Sequence, residues 1–142
     1  MRVLSLLLLV LTLSACARVP DADAIRDTIR TMATAAEAKR SGDVLERIAD
    51  DFTGNDGELD REGLERLLRA RLFGGQAIGV SIGRIDVELD GDRATARFPM
   101  TVTDDSGRWL PDRRAELDVT TGWRRKSGTW SCYNARWSND SR

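Results

Sequence analysis

The feature that most constrains the fold of this chain is a change in the spacing of its apolar residues near Ala77. Before Ala77, apolar residues recur at steps of three and four, as on one face of an α-helix. After it, they alternate with polar residues, as in strands that bury one face. A length of 142 residues suits one domain with its own core. We therefore expect an α+β domain in which N-terminal helices pack on one face of an antiparallel sheet.

Three helices are predicted between residues 21 and 75, because each apolar stretch there begins near an aspartate that can cap a helix. The caps are Asp21 or Asp23, then Asp43, and finally Asp60. The first helix is expected to end near Arg40. The residues expected to face inward are Ile25, Ile29, Met32 and Ala36 in the first helix, Val44, Leu45, Ile48 and Phe52 in the second, and Leu64, Leu67, Leu68 and Leu72 in the third. The polar loop at residues 53–58 fits neither register of an EF-hand, so no metal site is expected.

The second half predicts one long strand with a β-bulge near Gly83, followed by three antiparallel partners. Asp90-Gly91-Asp92 is predicted to form the first hairpin turn. In the strand after this turn, apolar residues occupy every second position. The strand places Ala94, Ala96, Phe98, Met100 and Val102 on one face, which we expect to be buried.

The last hairpin is expected to turn through three residues, 126–128, because that loop keeps the aromatic residues together. It places Trp123, Tyr133 and Trp137 on the apolar face. On the outer face it opposes Asp118 to Arg136 as a pair of opposite charges, and Arg124 to Trp130 as a cation–π contact. A two-residue loop would oppose Val119 to Arg136 and mix the faces, so the three-residue register is favoured.

Four segments, in this order, resemble the nuclear transport factor 2-like (SnoaL-like) superfamily. They are residues 48–52, the helix at 60–73, the hairpin at 87–95 and the paired ending at 122–130. The resemblance implies a curved sheet wrapped around the first helix as a cone, often dimeric, with a pocket at the open end. In this chain, Phe98, Trp123, Tyr133 and Trp137 would line that pocket.

The resemblance raises the question of catalysis, because enzymes of this superfamily place Asp, Tyr or His in the cone. The chain has one Tyr and no His, which removes histidine-based nucleophile pairs and metal sites. Asp51 is the candidate base and Tyr133 the candidate donor of an isomerase or dehydratase. Such a carboxylate would need a raised pKa. We expect instead a non-catalytic domain without a cofactor, which binds a protein partner or a small apolar ligand.

Other residues suit a protein interface. Trp109, Arg113 and Arg114 could form a binding hot spot. A further alternative for the function of the protein is an immunity-type inhibitor, which neutralises a toxin. A formal net charge of −1 and the lack of a basic patch argue against nucleic acid as a partner. A homodimer is possible by the same resemblance.

The N-terminus predicts export and membrane attachment. Arg2 precedes an apolar run at residues 3–13, which has the layout of a secretory signal and is too short to span a bilayer. The segment Leu13-Ser14-Ala15-Cys16 resembles the lipobox of bacterial lipoproteins, which implies cleavage between Ala15 and Cys16 and a lipid on Cys16.

These features divide the chain into three parts: a signal peptide at residues 1–15, a lipidated cysteine and tether at 16–20, and the domain at 21–142. Ala17 does not resemble the aspartate of an inner-membrane retention signal. In a Gram-negative cell we therefore expect attachment to the outer membrane, with the domain facing the periplasm. Cys132 would then be the remaining thiol, expected to be a half-buried apolar residue in a strand.

Overall fold

A computed structural model describes residues 19–72, 77–104 and 115–139. The helices are α1 (Asp21–Glu37), α2 (Ser41–Leu45) and α3 (Arg61–Leu72). The strands are β1 (Ile48–Gly54), β2 (Leu59–Asp60), β3 (Ile78–Ile82), β4 (Asp86–Asp90), β5 (Arg93–Asp104), β6 (Ala115–Lys126) and β7 (Thr129–Asn139). Three helices on one large sheet confirm the predicted α+β class. Within the described residues, no helix is both long and apolar enough to cross a membrane.

The seven strands form one sheet in the order β2-β1-β7-β6-β5-β3, with β4 also paired to β5. All pairs are antiparallel except β1 with β7, which run parallel. The expected antiparallel sheet is therefore mixed. Helix α1 packs against β3 and β4, and its buried residues Ile25 and Ile29 join the core formed by the apolar face of the sheet.

The second predicted helix is largely wrong. Only residues 41–45 are helical, and Ile48 and Phe52 are buried in strand β1 instead. Asp43 lies inside the helix and makes no capping hydrogen bond. The apolar spacing here is too short to separate a helix from a strand, and pairing with β7 selects the strand.

The helix ends follow the prediction unevenly. Helix α1 ends at Glu37, before Arg40, and its N-cap is Pro20, so neither Asp21 nor Asp23 is the cap. Both aspartates lie in the first turn, where negative charge favours the helix dipole. Asp60 does cap α3, since its Oδ1 accepts a hydrogen bond from the Gly63 N–H at 2.7 Å.

The apolar stripe predicted on α3 is only partly covered. Leu64 and Leu68 are half-buried, whereas Leu67 is 40 % exposed. Helix α3 contacts β1, β2 and α2 near one end of the sheet, with little of the rest of the domain against it.

The predicted bulge near Gly83 is an interruption between two strands. Strand β3 pairs with residues 100–104 of β5, and β4 pairs with residues 93–97. Between them the Gly83 N–H donates to the Pro99 carbonyl oxygen at 2.9 Å. A Cβ on Gly83 would lie 2.5 Å from Pro99 Cγ, so glycine is the residue that allows this close approach.

The β4–β5 hairpin confirms its prediction. Asp90 pairs with Arg93 across a turn at Gly91 and Asp92, and Gly91 has a φ of +58°. The predicted apolar face of β5 points inward: Ala94, Ala96 and Phe98 are buried, and Met100 packs against them.

The predicted register of the last hairpin is wrong. The turn has two residues, Ser127 and Gly128, and Lys126 pairs with Thr129. The mixing of faces expected from this loop is avoided because the register shifts between Gly122 and Trp123. Tyr133 is the extra residue, since Trp123 pairs with Cys132 and Gly122 with Asn134.

The shift restores the apolar face and changes the predicted pairs. Val119 now opposes Trp137 on the inner face. Asp118 opposes Ser138 and not Arg136, whose partner across the strands is Thr120. Arg136 instead forms an ion pair with Asp56.

Candidate functional site

The inner face of the sheet is almost entirely apolar in the part of the chain that the structure describes. Its one buried polar side chain is Thr121, whose hydroxyl donates to the Ala96 carbonyl oxygen at 3.2 Å and accepts from Trp123 Nε1 at 2.8 Å. Cys132 is also buried, and burial raises the pKa of its thiol to about 12. Neither group is suited to proton transfer or nucleophilic attack near neutral pH.

Three of the four residues predicted to line a pocket lie in or against the core, and Tyr133 lies apart from them. Trp123 is 1 % exposed and Phe98 is 8 % exposed, and both belong to the core. Trp137 packs against that core from its edge. Tyr133 lies on the opposite, outer face, because the bulge turns it away from Trp123.

Two shallow depressions of about 260 and 290 Å³ lie around Pro99 and Asp118 on the described surface. Phe98 lines the second of them. Trp123, Tyr133 and Trp137 line neither.

On the outer face, Tyr133 lies close to two arginines. The Arg93 and Arg124 guanidinium carbons are 5.3 and 5.4 Å from the centroid of its ring. Arg93 and Arg124 oppose each other on β5 and β6. The end of the ring lies over Gly122, where an added Cβ would come 3.0 Å from Tyr133 Cζ. Glycine at this position therefore lets the ring lie close to the sheet.

Asp51, the candidate base, joins the same surface. It lies in β1, is exposed, and reaches across β7 to accept hydrogen bonds from both terminal nitrogens of Arg124, at 2.7 and 3.1 Å. These hydrogen bonds, together with the positive charge of Arg124, hold the pKa of the Asp51 carboxyl below its ordinary value of 3.8. A general base would need the opposite shift.

A second polar network fixes the start of α1 to the ends of two hairpins. Arg125 contacts Asp21 at 2.7 Å and Asp92 at 2.8 Å, and Trp130 Nε1 donates to Asp21 at 3.2 Å. The Arg125 guanidinium also lies over the Trp130 ring, at 5.4 Å. The cation–π contact predicted for Arg124 with Trp130 is therefore made by Arg125, while Arg124 contacts Tyr133.

Arg93 and Gly122 are parts of the outer site that were not predicted from the sequence. Alternation along β5 puts Arg93 on the face opposite Ala94, but its partner depends on the register of β6, which only the folded sheet supplies. Ala15, Cys16, Trp109, Arg113 and Arg114 lie outside the described residues. In the described part of the chain, no cluster of three or more His, Cys, Asp or Glu side chains is arranged to hold a metal ion.

The mixed sheet with α1 packed on its apolar face defines a nuclear transport factor 2-like fold. The sequence matches the SnoaL-like domain family over residues 17–135, and the chain belongs to that family. No curated protein matches the chain.

Several solved structures share the fold at low sequence identity. An NTF2-like protein with a cystatin-like fold from Novosphingobium aromaticivorans is 21 % identical, with a TM-score of 0.69 over 84 % of this chain and 81 % of that one. A proposed dehydratase of the NTF2-like family from Streptomyces avermitilis is 12 % identical, with a TM-score of 0.72 over 86 % and 97 %. A proposed scytalone dehydratase from Novosphingobium aromaticivorans is 11 % identical, with a TM-score of 0.71 over 82 % of each chain.

Proposed function

We propose that this protein is a lipid-anchored protein of the bacterial envelope, and that its SnoaL-like domain binds a protein partner without catalysing a reaction. The observation that carries the second part is the apolar inner face. Its one buried polar side chain among the described residues, Thr121, has its hydrogen bonds satisfied within the core. An isomerase or dehydratase would need acid and base groups there.

A protein partner is favoured over a small apolar ligand. The aromatic side chains suited to line a ligand site, Trp123 and Phe98, are enclosed by core neighbours. The outer face instead presents tyrosine beside arginine, which are residue types that dominate binding energy at protein interfaces.

Attachment through Cys16 would keep the domain near the bilayer. Helix α1 begins at Asp21, five residues after Cys16, and an extended chain of that length spans only about 17 Å. A lipid on Cys16 therefore restricts partners to molecules that reach the membrane surface. For a Gram-negative cell we propose attachment to the outer membrane, facing the periplasm, because Ala17 does not resemble the aspartate of an inner-membrane retention signal.

The enzyme alternative comes from the two solved structures that carry the name of proposed dehydratases. Asp51 and Tyr133, the nominated acid and base groups, meet through Arg124 on the outer face and not in the interior. The low pKa of Asp51 further weakens its case as a base.

Lipidation is tested by fractionating cells and analysing the mature N-terminal peptide by mass spectrometry. We expect a diacylglyceryl group on Cys16 and membrane attachment. Both should be lost in Cys16→Ser and kept in Cys132→Ala, the matched change at the other cysteine. A soluble wild-type protein with an unmodified N-terminus would contradict the anchor.

The binding role is tested by native mass spectrometry of the lipidated protein after gentle extraction from its own envelope. We expect a stoichiometric protein partner. Turnover of a ketosteroid or scytalone-type substrate that disappears in an Asp51→Asn, Tyr133→Phe double variant would show that the non-catalytic proposal is wrong.

A further inference from the structure

We propose that the outer-face cluster of Arg93, Tyr133 and Arg124 docks an acidic segment of the partner protein, with a carboxylate of that segment bound by Arg93. This inference deepens the proposed function and rests on it for the existence of a partner. It names the surface and the chemistry that the partner must present.

Arg93 and Arg124 form a pair of like charges, and only Arg124 has a carboxylate bound to it. Arg93 and Arg124 are directly opposite on neighbouring strands, an arrangement that destabilises a sheet unless something compensates it. Asp51 compensates Arg124 with two hydrogen bonds. Asp90 opposes Arg93 across the hairpin turn without forming an ion pair with it, and no other carboxylate among the described residues lies within ion-pair distance, so the Arg93 guanidinium remains open to a partner.

A comparison with Arg97 on the same strand shows that the lack of an ion pair is specific to Arg93. Arg97 lies four residues further along β5, on the same outer face, and forms an ion pair with Glu88 at 3.1 Å. Arg136 on β7 is paired in the same way with Asp56. Among the described residues, Arg97, Arg124 and Arg136 on this face thus have carboxylate partners, and Arg93 has an aromatic ring instead.

The fold holds the Arg93 guanidinium in place before a partner binds. The bulge in β7 turns Tyr133 to the outer face, and the lack of a side chain on Gly122 lets the ring lie close to the sheet. Both guanidiniums then lie at similar distances from the ring centroid, 5.3 and 5.4 Å, within the range of a cation–π contact. A guanidinium held in place loses less conformational entropy when it binds, which favours affinity.

The chemistry around Arg93 favours a carboxylate of a protein segment as the bound group. The planar fork of an arginine matches a carboxylate through two parallel hydrogen bonds. The exposed Asp90 lies opposite Arg93 at the hairpin turn, so a broad anionic surface such as a membrane would meet repulsion beside it. A flexible acidic segment can place one carboxylate at Arg93 while its other charges point away from Asp90. Tyrosine and arginine together are also typical of interface hot spots.

The test is an NMR titration of the isotope-labelled, lipidated full-length protein, observed at the arginine Nε–Hε and tyrosine ring signals. The probe is an N-acetylated tetraglutamate amide, with the tetralysine peptide as its charge control. We expect saturable shifts at Arg93 and Tyr133 with tetraglutamate and none with tetralysine.

Two variants separate the site from general charge. Arg93→Gln is expected to weaken tetraglutamate binding about tenfold, as for the loss of one charge-assisted pair. Arg97→Gln removes the same charge from the same face and is expected to leave binding unchanged. Both positions are exposed, so circular dichroism should show both variants folded.

Three results would overturn the docking site: no saturable shift at Arg93, an equal loss in both variants, or shifts produced by phosphatidylglycerol vesicles but not by the peptide. If a protein partner co-purifies equally well with Arg93→Gln, the docking site is wrong while the proposed function stands. If the peptide binds as expected but the protein proves soluble or enzymatic, the proposed function fails and the carboxylate site stands.

Discussion

The hydrogen bond between Trp123 and Thr121 offers the sharpest test of the interior. Trp123 is 1 % exposed, and its indole N–H donates to the Thr121 hydroxyl at 2.8 Å. Replacing Thr121 by Val keeps the shape of the side chain but leaves that N–H unpaired in the core. The free energy of unfolding should therefore fall.

The expected loss follows from three effects. The unsatisfied indole N–H costs about 1–3 kcal/mol and the lost hydrogen bond to the Ala96 carbonyl oxygen about 1 kcal/mol, whereas the added methyl group of Val returns about 0.8 kcal/mol. We expect a net loss of about 2 kcal/mol for Thr121→Val, or a decrease of about 7 °C in the melting temperature. Thr120→Val, on the exposed face of the same strand, should change stability by less than about 0.5 kcal/mol.

A double-mutant cycle assigns the loss to the hydrogen bond. Trp123→Phe removes the indole N–H, so adding Thr121→Val in that background loses only the hydrogen bond to Ala96, which the added methyl group offsets, and should cost almost nothing. Urea unfolding followed by circular dichroism gives each free energy. Equal costs of Thr121→Val in both backgrounds would refute the reasoning, because they would show no coupling between the two side chains.

Three further predictions address other parts of the domain. Because Arg124 lowers the pKa of Asp51, the stability that this carboxylate contributes should be fully present above pH 3.8. It should be lost as the pH falls through the lower pKa that Asp51 has in the folded state. The difference in urea midpoint between wild type and Asp51→Asn should therefore shrink in acid and not in base. Burial and a pKa of about 12 should protect Cys132 from iodoacetamide at pH 8, and peptide mass spectrometry should find it modified only after unfolding in urea. Asp60→Ala should cost about 1 kcal/mol by urea unfolding because the Gly63 N–H loses its cap, and Asp60→Ser should restore most of it; equal losses in the two variants would speak against capping.

The outer-face cluster shows that a site can escape prediction even where the sequence alternates regularly. Tyr133 alternates correctly with Trp123 and Trp137 only if the last hairpin has a three-residue turn. The folded hairpin uses two residues and a bulge, which exposes Tyr133 and keeps the tryptophans inside. The local pattern allowed both solutions, because a turn and a bulge can each absorb one residue.

Strand β1 illustrates the same limit for secondary structure. Ile48 and Phe52 are spaced as on a helix, and burial of both was predicted correctly. Their conformation was not, because parallel pairing with a strand more than eighty residues away supplies the hydrogen bonds of β1. A periodic pattern reports which side chains are buried more reliably than it reports which backbone buries them.

The sequence by itself determined the features that depend on neighbouring residues. These are the change from helix to strand spacing, the β4–β5 hairpin with its buried face, the Asp60 cap and membership of the SnoaL-like family. The tertiary structure alone decided the β1–β7 pairing, the position of the bulge and the meeting of Arg93, Tyr133 and Arg124. The physical reason is that turns and caps are stabilised within a few residues, whereas strand register is chosen by the packing of the whole core.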